Sequence, residues 1–245
     1  MEHPSLPENV RCLEEGETFR FRCHPGVPCF TECCRQLDLA LTPYDVLRLK
    51  KMLKISSGEF LEQYAVIEQG EEDAFPHVYL GMIDDGRASC PFVSKQGCLV
   101  YEGRPGACRT YPLGRAASVS PDGAKAVFHV LLTEPHCLGF SETTDQTVAE
   151  WNADQELTSY NSLNDETMAI LQHRKFQDGL RLTGEQSTNF LIALYNQDKF
   201  REIIMTTDSE PAVPITEDEK RSMATDDTAL LRYGIRWLEH ELFKK

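Results

Sequence analysis

Nine cysteines in a chain of 245 residues, none beyond position 137, constrain this protein more than any other feature. They are Cys12, Cys23, Cys29, Cys33, Cys34, Cys90, Cys98, Cys108 and Cys137. Secreted disulfide scaffolds also use many cysteines, but they are short and usually even in count. The opening run MEHPSLPENVRCLEEGETFRF has no basic start and no apolar stretch, so no signal peptide is expected. No segment approaches the roughly 18 apolar residues of a membrane-spanning helix. The expected compartment is therefore a reducing cytoplasm, where clustered thiols point to metal or redox chemistry.

The spacing has two parts. The first is Cys23-x5-Cys29-x3-Cys33-Cys34. On a helix, Cys29 and Cys33 would be i, i+4 neighbours on one face, and Cys34 would point about 100° away from Cys33. One of the adjacent pair could then face a metal while the other faces a second metal, a pocket or the core. The second part is Cys90-Pro-Phe-x5-Cys98-x9-Cys108-Arg-x-Tyr-Pro, with Cys137 following. Neither part matches paired C-x2-C zinc ribbons or the compact ferredoxin run. Setting Cys12 aside, Cys23, Cys29, Cys33, Cys34, Cys90, Cys98, Cys108 and Cys137 supply thiolates for two four-ligand sites, or for one site plus buried or redox-active thiols. Soft thiolates in fours suit Zn²⁺ or an iron–sulfur cluster, and spacing does not choose between them.

The predicted fold is α+β and mostly helical: an irregular cysteine-rich region with a few short strands, stapled by metal, then a helical C-terminal half. The expected domains are 1–140, the cysteine cluster, and 141–245, helices packing on it. Residues 21–34 read as a loop entering a short helix. Thr42-Pro43-Tyr44-Asp45 is a helix start, with Thr as N-cap and Pro at the first position. A second helix is expected over 57–64, and strands over 77–83 and 126–132. Residues 84–114 are turn-rich. The later helices are expected over about 142–180, 185–205 and 226–243, with a loop over 207–216.

Formal net charge is −14, with 39 acidic and 25 basic residues and no basic run. That balance argues against binding nucleic acid or an anionic membrane through counterion release. Arg104 and Arg109 lie near Cys98 and Cys108 in sequence; they either stabilise thiolates or fix the loop by pairing with acids. His24, His129 and His136 fall close to cysteines in sequence, and His136, next to Cys137, is the best substitute ligand among them. No nucleotide-binding glycine loop, zinc-protease motif or hydrolase nucleophile motif occurs.

At the cysteines the sequence resembles the YkgJ-like, CxxCxxCC-type family, described as a candidate zinc- or iron-chelating domain. The residues that carry the resemblance are Cys23, Cys29, Cys33-Cys34-Arg35, Cys90-Pro91-Phe92, the string Cys98 to Pro105, and Cys108-Arg109-Thr110-Tyr111-Pro112-Leu113. They span about residues 20–140. The sequence is also similar there to flagellin lysine N-methylases, which are thought to carry an iron–sulfur cluster. The resemblance implies a metal site, with a 4Fe–4S cluster as the first cofactor expected and zinc as the alternative.

Three readings of function follow. The first is a cytoplasmic metal-binding protein whose iron–sulfur cluster serves redox or protein-modification chemistry. The second is a zinc-stapled module that binds a protein without catalysis. The third, by analogy alone, is an enzyme modifying protein lysines. Catalytic residues are unassigned, and a protein partner or substrate is left open.

Overall fold

The computed structural model describes residues 6–119, 125–206 and 211–243. The fold is α+β and mostly helical, with short strands in small sheets. The chain divides into two compact units, each built from two stretches. One unit is Met1–Leu37 with Met82–Tyr160; the other is Asp38–Gly81 with Asn161–Lys245. The division thus cuts across the chain order of the expected 1–140 and 141–245. Residues 38–81 leave the cysteine region and join the later helices.

The first unit has a three-stranded antiparallel sheet. Lys125–Leu132 is its centre, flanked by Val10–Leu13 and Leu113–Val119. A second antiparallel pair joins Thr18–Arg20 to Asp145–Thr147. Its core is aromatic: Phe19, Phe21, Leu113, Leu131 and Trp151 are buried together, and Tyr111, Cys137 and Phe140 pack on them. Phe21 stands edge-on to Tyr111 and Trp151, each at 5.6 Å between ring centroids, a favoured arrangement of aromatic quadrupoles. The Trp151 indole N–H donates to the Thr110 carbonyl at 3.0 Å, so the ring is buried with its polar end satisfied.

The second unit holds Pro43–Leu53 and Ser57–Tyr64, a hairpin of Ala65–Glu68 and His77–Leu80, and the helices Gly184–Leu194, Gln197–Thr206, Glu217–Met223 and Asp227–Phe243. The expected cap at Thr42 is present. Its hydroxyl accepts from the Asp45 amide while the Asp45 carboxylate accepts from the Thr42 amide. Ser56–Glu59, Thr183–Gln186 and Thr216–Glu219 repeat this reciprocal device. Each satisfies two amides that a helix start leaves unpaired. Leu230, Leu231, Tyr233 and Leu238 bury one face of the last helix.

Two expectations are corrected. The helix expected over 142–180 is instead a strand, Asp145–Thr147, followed by the helices Val148–Asp154, Thr158–Leu171 and Arg174–Gln177. Thr147 caps a helix there, which ends the strand. Cys29 and Cys33 do not share an α-helix, because only Glu32–Cys34 is helical, as one 3₁₀ turn. The expected loop over 207–216 is present at 211–216 and is followed by a helix, Glu217–Met223, that no expectation included; residues 207–210 lie outside the described residues.

Candidate metal centre

All nine cysteines lie in the first unit, and none forms a disulfide. Cys23 follows the strand Thr18–Arg20, and Cys29 sits in the turns leading to the 3₁₀ turn that holds Cys33 and Cys34. Cys90 precedes a two-residue hairpin, Val93–Ser94 with Gly97–Cys98, and Cys98 ends that hairpin. Cys108 is on the short helix Gly106–Thr110, and Cys137 lies in the turn before the 3₁₀ turn Gly139–Ser141.

Backbone contacts draw these segments together. The Arg22 amide donates to the Gly139 carbonyl at 3.0 Å, which sets Cys23 beside the segment of Cys137. A Cβ at Gly139 would come within 2.6 Å of the Phe21 ring and 2.9 Å of the Arg22 carbonyl, so this approach requires glycine. The Leu138 amide points at Cys29 Sγ, 3.1 Å away. On the other side, the Cys90 amide donates to the Cys34 carbonyl at 2.9 Å, and Arg35 bridges to Ser89. The Val93 amide donates to the Cys90 carbonyl, and Val93 pairs with Cys98. Gly97, at φ +116°, lets the hairpin turn close against Phe30.

The thiols feel one another electrostatically. Burial pushes the Cys23 thiol up to about 11, helped by repulsion from Cys33, Cys29 and Cys137 and opposed by the Arg104 guanidinium. Cys137 is raised by burial and by Cys29 and Cys33, although the Tyr111 hydroxyl bonds to it. The Cys34 thiol donates to Cys33; this holds Cys34 above the ordinary thiol range and Cys33 below it. Cys34 is raised further by burial and by Cys33, Cys108 and Cys90. Burial raises Cys90, with a contribution from Cys98. Cys98 is also raised by burial, against the pull of Arg104 and Arg109.

The two arginines do more than either reading expected of them. Arg104 is nearly buried, lies over the Tyr101 ring at 3.7 Å and donates to the Gln155 side chain. Arg109 donates to the Gln155 carbonyl at 2.9 Å and the Glu102 carbonyl at 2.7 Å. They fix the cysteine loop and also place positive charge near Cys98. Gln155 and Tyr160, whose hydroxyl donates to the Arg104 carbonyl at 3.0 Å, complete this scaffold. No sequence motif marks either residue. His24 bonds to Glu142 at 3.1 Å, and His136 lies 3.5 Å from Glu134. His129 is on the central strand, its ring pushed towards the neutral form by burial.

Among the described residues, no group of three or more His, Cys, Asp and Glu side chains is arranged to hold a metal ion as it stands. The donors nevertheless fit a thiophilic metal. They are soft thiols gathered in one unit. The buried Nε atoms of Arg35, Arg104 and Arg109 have no hydrogen-bond partner, which suits an anionic thiolate centre beside them. Metal sites of this kind commonly close only when the ion binds, and rotation about χ1 swings each sulfur between staggered positions.

Residues 22–138 match the CxxCxxCC family, described as a candidate zinc- or iron-chelating domain. No curated protein and no solved structure matches the chain. No helix among the described residues is long and apolar enough to cross a membrane.

Cys12 stands apart. It is exposed on the edge strand Val10–Leu13, opposite Val130, and precedes the matched segment. Cys12→Ser is expected to leave metal content unchanged when metal per chain is counted by plasma mass spectrometry. Loss of metal in that variant would make Cys12 a ligand.

Proposed function

We propose that the protein binds an iron–sulfur cluster through the thiols of its first unit and works in redox or protein-modification chemistry in a reducing compartment. The observation that carries this reading is the gathering of Cys23, Cys29, Cys33, Cys34, Cys90, Cys98, Cys108 and Cys137 into one unit from segments far apart in sequence. Iron–sulfur clusters are held mainly by thiolates. The histidines that zinc would also accept, His24 and His136, face the carboxylates Glu142 and Glu134. Positive charge from Arg104 and Arg109 offsets the thiolates' negative charge and tunes the potential of a cluster bound there. The cluster would supply electron transfer; the chain's own residues fix the segments that carry the thiols.

Anaerobic purification tests the reading. The expected protein is brown and contains iron and acid-labile sulfide in similar amounts, because thiolate and sulfide charge transfer to iron absorbs visible light. A colourless protein with stoichiometric Zn²⁺, which is d¹⁰ and silent, overturns the iron–sulfur assignment and leaves a zinc-stapled domain.

A further inference from the structure

We propose that the outer edge of the strand Ala65–Glu68 is a docking site for an extended, lysine- or arginine-bearing segment of a partner protein, which adds there as a further strand. The site lies in the second unit, which contains no cysteine, and it is independent of any metal.

The hairpin leaves this edge open. Ala65–Glu68 pairs with His77–Leu80 in antiparallel register, with Ile67 opposite Val78. The far side of His77–Leu80 is covered: the Leu41 amide donates to the Val78 carbonyl at 2.7 Å, and the Leu80 amide to the Leu39 carbonyl at 2.9 Å. The Gly81 amide donates to the Tyr64 carbonyl at 2.8 Å, and antiparallel bonding alternates from there. Val66 and Glu68 therefore bond across the hairpin, while the amide and carbonyl of Ile67 point outward. Among the described residues no strand pairs with them. Such groups on a strand edge are a template for another strand.

The side chains agree. Directly opposite residues share a face of the sheet, so Ile67 stands beside Val78. Val78 is 1% exposed, yet Ile67 is 43% exposed, because it is the last residue of its row. Val66, on the other face, is 45% exposed. An added strand with an apolar residue beside Ile67 would carry the buried face past this edge.

Charge selects the occupant. Between Ile55 and Gly81 the chain has six acidic residues, Glu59, Glu62, Glu68, Glu71, Glu72 and Asp73, and no lysine or arginine. Past Glu68 the strand runs into an open cleft of about 280 Å³ lined by Gln69, Glu71, Asp73, Arg181 and Ser187. Arg181 is paired with Glu72 at 2.6 Å, and the Ser187 hydroxyl holds the Gln69 side chain at 2.8 Å. Among the described residues no lysine or arginine pairs with Glu68 or Glu71. An incoming lysine or arginine would meet these uncompensated carboxylates. A second copy of this chain would instead set two acidic edges against each other.

The test uses the full-length chain and a fluorescein-labelled, end-capped peptide of alternating valine and threonine with lysine at both ends. Fluorescence anisotropy is expected to show saturable binding that weakens with salt. The same peptide with glutamate in place of lysine should bind at least about tenfold more weakly. A version N-methylated on all its inner amides cannot bond along the edge and should lose binding; these readings need no variant of the protein to fold. Ile67→Pro removes the outward N–H and keeps the bonds of Val66 and Glu68 across the hairpin, so it should weaken binding about tenfold. Glu68→Lys/Glu71→Lys should reverse the preference in favour of the glutamate peptide. Absence of lysine-peptide binding, equal binding of the two charged peptides, or undiminished binding of the N-methylated one overturns the proposal. So does a dimer in sedimentation that Ile67→Pro abolishes, which would assign the edge to a second copy.

Discussion

Metal removal is expected to expose residues 84–114 to protease before the helices of the second unit are cut. Within this segment the regular structure is sparse: two strands of two residues each, one 3₁₀ turn and a five-residue helix before the strand that begins at Leu113. Its buried apolar anchors are few, namely Phe92, Val100 and Leu113. Burying three such side chains contributes only about 1.5–3 kcal/mol apiece. Arg104 and Arg109 tie the segment to Gln155, but a handful of hydrogen bonds adds only about 1 kcal/mol each. Metal ligation, which reaches about 10–16 kcal/mol in small zinc-binding peptides, is larger than any of these contributions. Limited proteolysis of the full chain with and without a chelator, read by mass spectrometry of the fragments, checks this. Cys90→Ser should give the same first cuts under milder conditions. Identical digestion patterns for metal-loaded and metal-free protein would show that the segment folds without the metal.

The cysteines were legible as a group because thiols this dense have few uses in one chain. The way they are gathered was not, because it depends on contacts over long sequence distances, such as Arg22 with Gly139 and Cys34 with Cys90. An α-helical reading of Cys29 to Cys34 failed for a local reason. Thr31, at φ 70°, and Gln36, at φ 54°, are left-handed residues that confine the helical segment to one turn. Other features carry a plain local signal. Thr147-x-x-Glu150 marks a helix start inside the span expected as one helix over 142–180, and Thr216-x-x-Glu219 marks the helix Glu217–Met223, which no expectation included. The strands Val10–Leu13 and Leu113–Val119 carry little apolar alternation; they are set by pairing to Lys125–Leu132. The return of residues 38–81 to the later helices has no local mark. It is decided by where the faces of Pro43–Leu53 and Ser57–Tyr64 find apolar cover.

Asp198→Ala is expected to destabilise the second unit by about 2–3 kcal/mol. Lys50, on the helix Pro43–Leu53, is buried, and its ammonium lies 3.0 Å from a carboxylate oxygen of both Asp198 and Asp227. Asp198 also accepts from the Ser57 amide at 2.6 Å and the Ser57 hydroxyl at 2.9 Å, at the start of another helix. Arg201 bonds both carboxylates. One aspartate therefore joins three helices and balances a buried cation. Breaking a buried ion pair costs about 3–5 kcal/mol; Asp227 remains as a partner and Asp198 is about a third exposed, so the lower figure applies. Ser57→Ala, which removes one neutral hydroxyl, should cost about 1 kcal/mol. The pH dependence follows from the same contacts. Burial alone would raise the Asp198 carboxyl, but the Ser57 amide and the Lys50 ammonium outweigh it and bring it down to about 2. The carboxylate's contribution is then fully present above the ordinary aspartate value of 3.8 and is lost as pH falls through about 2. Urea unfolding followed by helical circular dichroism should show a constant gap between wild type and Asp198→Ala above about pH 5, narrowing as the solution is acidified towards pH 2. A gap below about 0.5 kcal/mol at neutral pH, the ordinary range of surface substitutions, would mean that Lys50 and Arg201 are adequately held by Asp227 alone.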